Sequence, residues 1–196
     1  MAAEIDPERA RHIWPLLATA RTSYLAATAP AYDEVLWEVA RRAEKSGSLG
    51  KADLGALVTW KRLSARTRWA AELMAVPDLR VRAVTGRALA AVRDPSVTRG
   101  EAARAGRAAI SALPGFRSGD ALASAVLTAA APARMAVYDK RAQRALESFG
   151  LTLTSASGRY GRYLDLLDQL LREPGTFGAD WTARDIDLAL YWIGGD

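Results

Sequence analysis

Two short stretches of this 196-residue chain carry residue types arranged for chemistry. The first is Pro114-Gly115-Phe116-Arg117-Ser118-Gly119-Asp120, a glycine-bearing loop between two helical patterns. A tight loop leading into a helix start leaves backbone N–H groups without intrahelical acceptors and presents the positive end of a helix dipole, which suits one phosphate. Gly115 and Gly119 bring no Cβ into the path of such a ligand. The same residues also suit a plain turn between two core helices, and spacing alone leaves both readings open. The second stretch is Val137-Tyr138-Asp139-Lys140-Arg141. Here an extended pair precedes an aspartate that can cap a helix running to Phe149 and closing at Gly150. N-capping contributes about 1 kcal/mol. A fixed carboxylate also serves as a general base or as a stabiliser of developing positive charge.

The other side chains exclude more than they offer. There is no cysteine and one histidine, His12, so thiolate metal sites, disulfides and histidine-based triads have no material. No metal ligand set and no cofactor motif is recognisable; a Walker loop and a strand-embedded GxGxxG are both missing. The net charge is +5 with a pI of about 9.8, a balance that favours nucleic acid as partner. A GC-rich genome, which favours Arg and Ala codons, would produce the same excess. No apolar run is long enough to span a bilayer. The opening MAAEIDPERARHIW lacks the apolar segment of a secretory signal, so the expectation is a cytoplasmic protein without membrane contact. Asp165 with Asp168, and Asp185 with Asp187, read as solvated charge on helices.

Helical spacing broken by Pro and Gly recurs along the chain, and no segment alternates over a strand length. The pattern predicts helices from Asp6-Pro7 to Thr28, with a kink or restart at Pro15, and from Ala31 to Lys45 with the stripe Val35, Leu36, Val39, Ala43. Further helices are predicted over Gly50–Leu63, Ala65–Val76, Asp78–Val92, Thr98–Leu113, Ala121–Ala131, Asp139–Phe149, Gly158–Arg172 and Thr182–Ile193. The expectation is one all-α domain over 1–196 of about ten helices, compact and two-lobed.

With these elements in place, Leu113-Pro114-Gly115-Phe116, Gly119 and the small apolar helix containing Ala123, Ala125 and Val126 resemble the helix-hairpin-helix of the endonuclease III-like DNA glycosylase superfamily, here over about 98–131. Val137 to Arg144 is similar to that superfamily's Val-Asp-Thr-His-Val-x-Arg segment, with Asp139 at the catalytic aspartate and Arg144 at the arginine five residues on. The chain also looks like a group of uncharacterised bacterial proteins with a Trp-Lys pair upstream, here Trp60-Lys61. The sequence departs from the pattern in its longer hairpin, in Lys140-Arg141 where Thr-His is usual, and in having no lysine at the hairpin.

The resemblance implies a monofunctional DNA N-glycosylase acting on double-stranded DNA, in which Asp139 stabilises the sugar cation and positions water. It implies a phosphate held by Gly115, Phe116, Arg117, Ser118 and Gly119, with Lys140, Arg141 and Arg144 as further phosphate contacts. Tyr138, Trp60 and Lys61 are the candidates for the pocket of a flipped base, with Trp37 and Trp69 behind them. Arg159 and Arg162, interleaved with Tyr160 and Tyr163, suit phosphate contact or stacking. A hairpin of this type can carry a cation on its carbonyls. The alternative reading is a non-catalytic helix-hairpin-helix protein that binds DNA or a partner.

Overall fold

The structure, a computed structural model, describes residues 5–64, 68–172 and 180–195. Among the described residues there are ten α-helices, one 3₁₀ turn and no strand. Helix α1 (Pro7–Ala27) starts where Asp6 accepts the N–H of Glu8 at 3.2 Å, and it runs unbroken past Pro15. Its buried face is Ala10, Ile13, Trp14, Leu17, Ala20 and Tyr24, a spacing of three and four that keeps one side of a helix on the core. A 3₁₀ turn (Pro30–Asp33) leads into α2 (Glu34–Ser46), followed by α3 (Lys51–Trp60) and α4 (Arg68–Ala75). The expected helix start at Ala65 lies outside the described residues.

Helix α5 (Asp78–Arg93) is followed by α6 (Arg99–Ile110), opened by a reciprocal Thr98–Glu101 box. Helix α7 (Ala121–Ala130) is buried from Leu122 onward and forms the middle of the molecule, against α2, α3, α5 and α6. Helices α8 (Lys140–Ser148), α9 (Arg159–Arg172) and α10 (Ala183–Ile193) complete the chain. Helix α10 packs on α1, α8 and α9, and α9 joins this group to the others through α6. Apart from Tyr24 and Leu188, the buried apolar side chains form one continuous cluster.

Three expectations need correction. Val35 is 41% exposed; the inward stripe of α2 is Leu36, Val39 and Ala43, and Val35 sits roughly 100° around the helix from Leu36. Asp78, expected from its type and place to cap α5, lies inside it with Pro77 at the cap position, and its carboxylate accepts the N–H of Lys51 at 2.7 Å instead. Asp165 and Asp168 are paired with Arg104 and Arg99, so they tie α9 to α6.

Helix α6 ends at Ile110, short of the expected Leu113, and turns lead into the hairpin. Gly115 and Gly119 both have positive φ, 87° and 74°. A Cβ on Gly115 would lie 2.4 Å from the Trp69 ring, whereas one on Gly119 would meet nothing within 4 Å. Both substitutions incur the left-handed penalty of about 1–2 kcal/mol, but only Gly115→Ala must also displace a tryptophan. Thermal unfolding should therefore show Gly115→Ala as the more destabilised by about 1–3 kcal/mol. Equal losses would place Trp69 elsewhere.

Candidate active site

The run Met135–Tyr138 is buried and lies outside any helix. It is pinned from two sides: Tyr160 donates its hydroxyl to the Ala136 carbonyl at 2.8 Å, and the Val137 N–H donates to Asp187 Oδ2 at 3.2 Å. Asp139 ends this run in extended conformation and caps α8, its Oδ1 accepting the Arg141 N–H at 2.8 Å. Its Oδ2 accepts Lys61 Nζ at 2.7 Å. Lys61 sits at the C-terminal end of α3, where the helix dipole favours a cation. Burial pushes the Asp139 carboxyl up. The Lys61 hydrogen bond, the Arg141 N–H and the charges of both residues outweigh that and hold it below the ordinary aspartate value.

A carboxyl held low contributes stability above its unfolded value and loses that contribution as pH falls through its folded one. In Lys61→Met the Asp139 midpoint should move to higher pH, followed by NMR of the side-chain carboxyl carbon. An unmoved midpoint would mean that the Lys61 contact contributes nothing in solution.

Lys61 and Asp139 open on a cleft of about 590 Å³, within the size range of small-ligand sites. Its walls are aromatic: Tyr24, Tyr32, Trp60, Tyr191 and Trp192. Beneath them Arg184 and Asp187 form a buried ion pair. Arg184 also reaches Asp33 Oδ2 at 3.5 Å and lies 5.6 Å from the Trp60 ring centre. Trp60 donates Nε1–H to Asp33 Oδ1 at 3.1 Å, which fixes the indole edge. Burial pushes the Asp187 carboxyl up, and the nearby charges of Arg184 and Lys61 only partly offset this. The sequence reading as solvated charge is therefore wrong for Asp187: it is buried, and it accepts from the Tyr163 hydroxyl at 3.3 Å as well as from Val137 and Arg184.

The structure brings Asp139, Lys61, Trp60 and Arg141 to one cleft. Tyr138 does not join them. It is buried under Tyr163 and Arg159, with its hydroxyl on Gln143. Arg144 donates to the Gly194 carbonyl at 2.7 Å, and Lys140 is exposed. Trp37 is half-exposed outside this cleft, and Trp69 covers Gly115.

The hairpin borders a different groove, shared with Ser155–Gly161. Arg117, Ser118 and Gly119 are exposed there, while Phe116 is fully buried with its N–H on the Leu113 carbonyl, and Gly115 lies against Trp69. Arg107 donates to the carbonyls of Phe116 at 2.6 Å and Gly119 at 2.9 Å, and to Asp120 at 3.1 Å. A guanidinium thus gathers carbonyls of the kind on which such a hairpin can carry a cation. Arg159 pairs with Asp120, and Arg162 donates to the carbonyls of Thr154, Ala156 and Ser157, so both have structural partners.

Sequence reasoning missed Arg184, Asp187, Tyr32, Tyr24, Tyr191, Trp192 and Arg62. A usable signal existed for the first two: Arg184 and Asp187 stand three apart on a helix whose one other charged residue is Asp185, the spacing of a facing pair. The aromatic walls come from elements far apart in the chain and carry no local mark. No protein-family model matches this chain, and no curated protein or solved structure matches it.

Proposed function

We propose that this protein is a monofunctional DNA N-glycosylase that releases a modified base by hydrolysis. The observation that carries this reading is an ionised aspartate, Asp139, fixed at a helix start by Lys61 and facing an aromatic-walled cleft. Cleavage of an N-glycosidic bond develops positive charge on the sugar, and a preorganised carboxylate stabilises it more strongly than water does. Each Asp139 oxygen has one protein donor and keeps lone-pair capacity toward the cleft, for the sugar cation or for the attacking water. Trp60, with its indole edge held by Asp33, and Tyr32 supply faces for a flipped base. Lys61 acts as a positioning residue for Asp139.

A second reading, a non-catalytic DNA-binding protein, is favoured by the same Lys61–Asp139 contact, since both partners satisfy one another. The deciding experiment compares affinity for a duplex carrying an abasic-site analogue with affinity for the intact duplex at two salt concentrations. A glycosylase should prefer the abasic duplex, with the preference persisting as salt rises. Equal and steeply salt-dependent binding supports the second reading. Binding to neither removes nucleic acid from the account.

A further inference from the structure

Arg62 is the one non-glycine residue with positive φ among those described, at 56°. Such a backbone is unfavourable for an arginine and persists only where its surroundings impose it. It directly follows Lys61 and turns the guanidinium to the mouth of the cleft. There Arg62 donates to the Tyr191 hydroxyl at 3.1 Å and lies 5.8 Å from the Tyr32 ring centre. Arg141, from the start of α8, donates to the same hydroxyl at 3.2 Å and lies 5.0 Å over the Tyr191 ring. Two guanidinium groups from separate elements therefore converge on one neutral oxygen.

Among the described residues neither Arg62 nor Arg141 forms an ion pair with a carboxylate. Arg184, in the same cleft, has Asp187 and Asp33. Asp139, in the same cleft, is held by Lys61 and by the backbone N–H of Arg141 rather than by either guanidinium. The mutual repulsion of two cations on one hydroxyl is relieved by an anion, and paired guanidiniums match the oxygens of a phosphate. Tyr191 accepts from both arginines and keeps its own hydrogen for a phosphate oxygen.

We infer that Arg62, Arg141 and Tyr191 form a phosphate seat at the cleft mouth, and that the cleft takes one nucleotide unit. The phosphate rests on the seat, the base lies against Trp60 and Tyr32, and the sugar passes Asp139. The phosphate belongs either to a nucleotide turned out of a DNA strand or to a free nucleotide. The first case rests on the glycosylase reading; the seat itself does not.

The test uses a 5′-mononucleotide and the abasic-analogue duplex as separate probes. Arg62→Gly removes the guanidinium where glycine suits the backbone, so the protein should fold with an undiminished melting temperature. Arg141→Gln and Tyr191→Phe complete the set, and Arg80→Gln, exposed on α5, controls for lost charge. Each arginine variant should weaken binding of at least one probe by about 10- to 100-fold, the range for a lost charged hydrogen bond. Arg80→Gln should change it little. If only the mononucleotide binds, and binds through these residues, the seat stands and the glycosylase reading falls. Duplex binding no more sensitive to Arg62 and Arg141 than to Arg80 overturns the seat and leaves that reading intact. Binding of neither probe also overturns the seat.

Discussion

Asp139→Asn is expected to lower base release by about 10²- to 10⁴-fold on any lesion the native protein processes. The substitution isolates the charge. Asparagine caps a helix as well as aspartate does, so the Arg141 N–H keeps its acceptor and α8 keeps its start. The negative charge beside the developing sugar cation is what disappears. Lys61 then loses its counter-ion inside the cleft, so affinity for an abasic duplex should hold or rise. Single-turnover release and gel-shift affinity, measured on the same preparation, read both effects. Unchanged release would reduce Asp139 to a cap and half of an ion pair.

Asp187→Ala should be among the most damaging single substitutions in the molecule. Asp187 is 1% exposed and accepts from Arg184, the Val137 N–H and the Tyr163 hydroxyl. Removing one partner of a buried pair leaves an uncompensated charge, at a cost of about 3–5 kcal/mol. Arg184 keeps only Asp33, at 3.5 Å, which places the expected loss toward the lower end. For a chain of this size the loss lowers Tm by roughly 6–20 °C. The run leading to Asp139 also loses its anchor at Val137, so the Asp139 carboxyl resonance should shift in Asp187→Ala while a distant core substitution of equal cost leaves it in place. A Tm within two degrees of native would show that the pair is not buried in solution.

How much of this could be read from the chain depended on the range over which each feature is determined. Asp6, Thr98, Asp139 and Thr182 were legible as helix starts because a cap is settled within three residues. The buried face of α1 and the wholly apolar α7 follow from local periodicity as well. Asp139, Lys61 and Trp60 were legible as candidates one by one. That Lys61 and Asp139, 78 positions apart, would meet at 2.7 Å was not. Charge misled most. Asp187 and Asp185 look alike in sequence, yet Asp187 faces the interior and Asp185 closes a capping box and pairs with Arg21. Which way a helical carboxylate points is decided by the helices packed around it. The two readings of the hairpin stayed open for the same reason: the small size of Gly115 accommodates Trp69, from a helix 46 residues earlier.

The packing of α1 against α10 also governs when this protein can fold. Arg21 and Asp185 are 164 positions apart and meet at 2.8 Å, and α10 supplies Arg184, Asp187, Leu188, Tyr191 and Trp192 to the cleft. Ribosomes add about 5–20 residues per second, so α1 waits roughly 8–30 s for the helix that covers it. During that interval its apolar face, Ile13, Trp14, Leu17 and Tyr24, has no permanent partner. The cleft is therefore among the last features to assemble, and its closure must meet the entropy of joining distant segments, which slows folding relative to helical proteins built from neighbouring contacts.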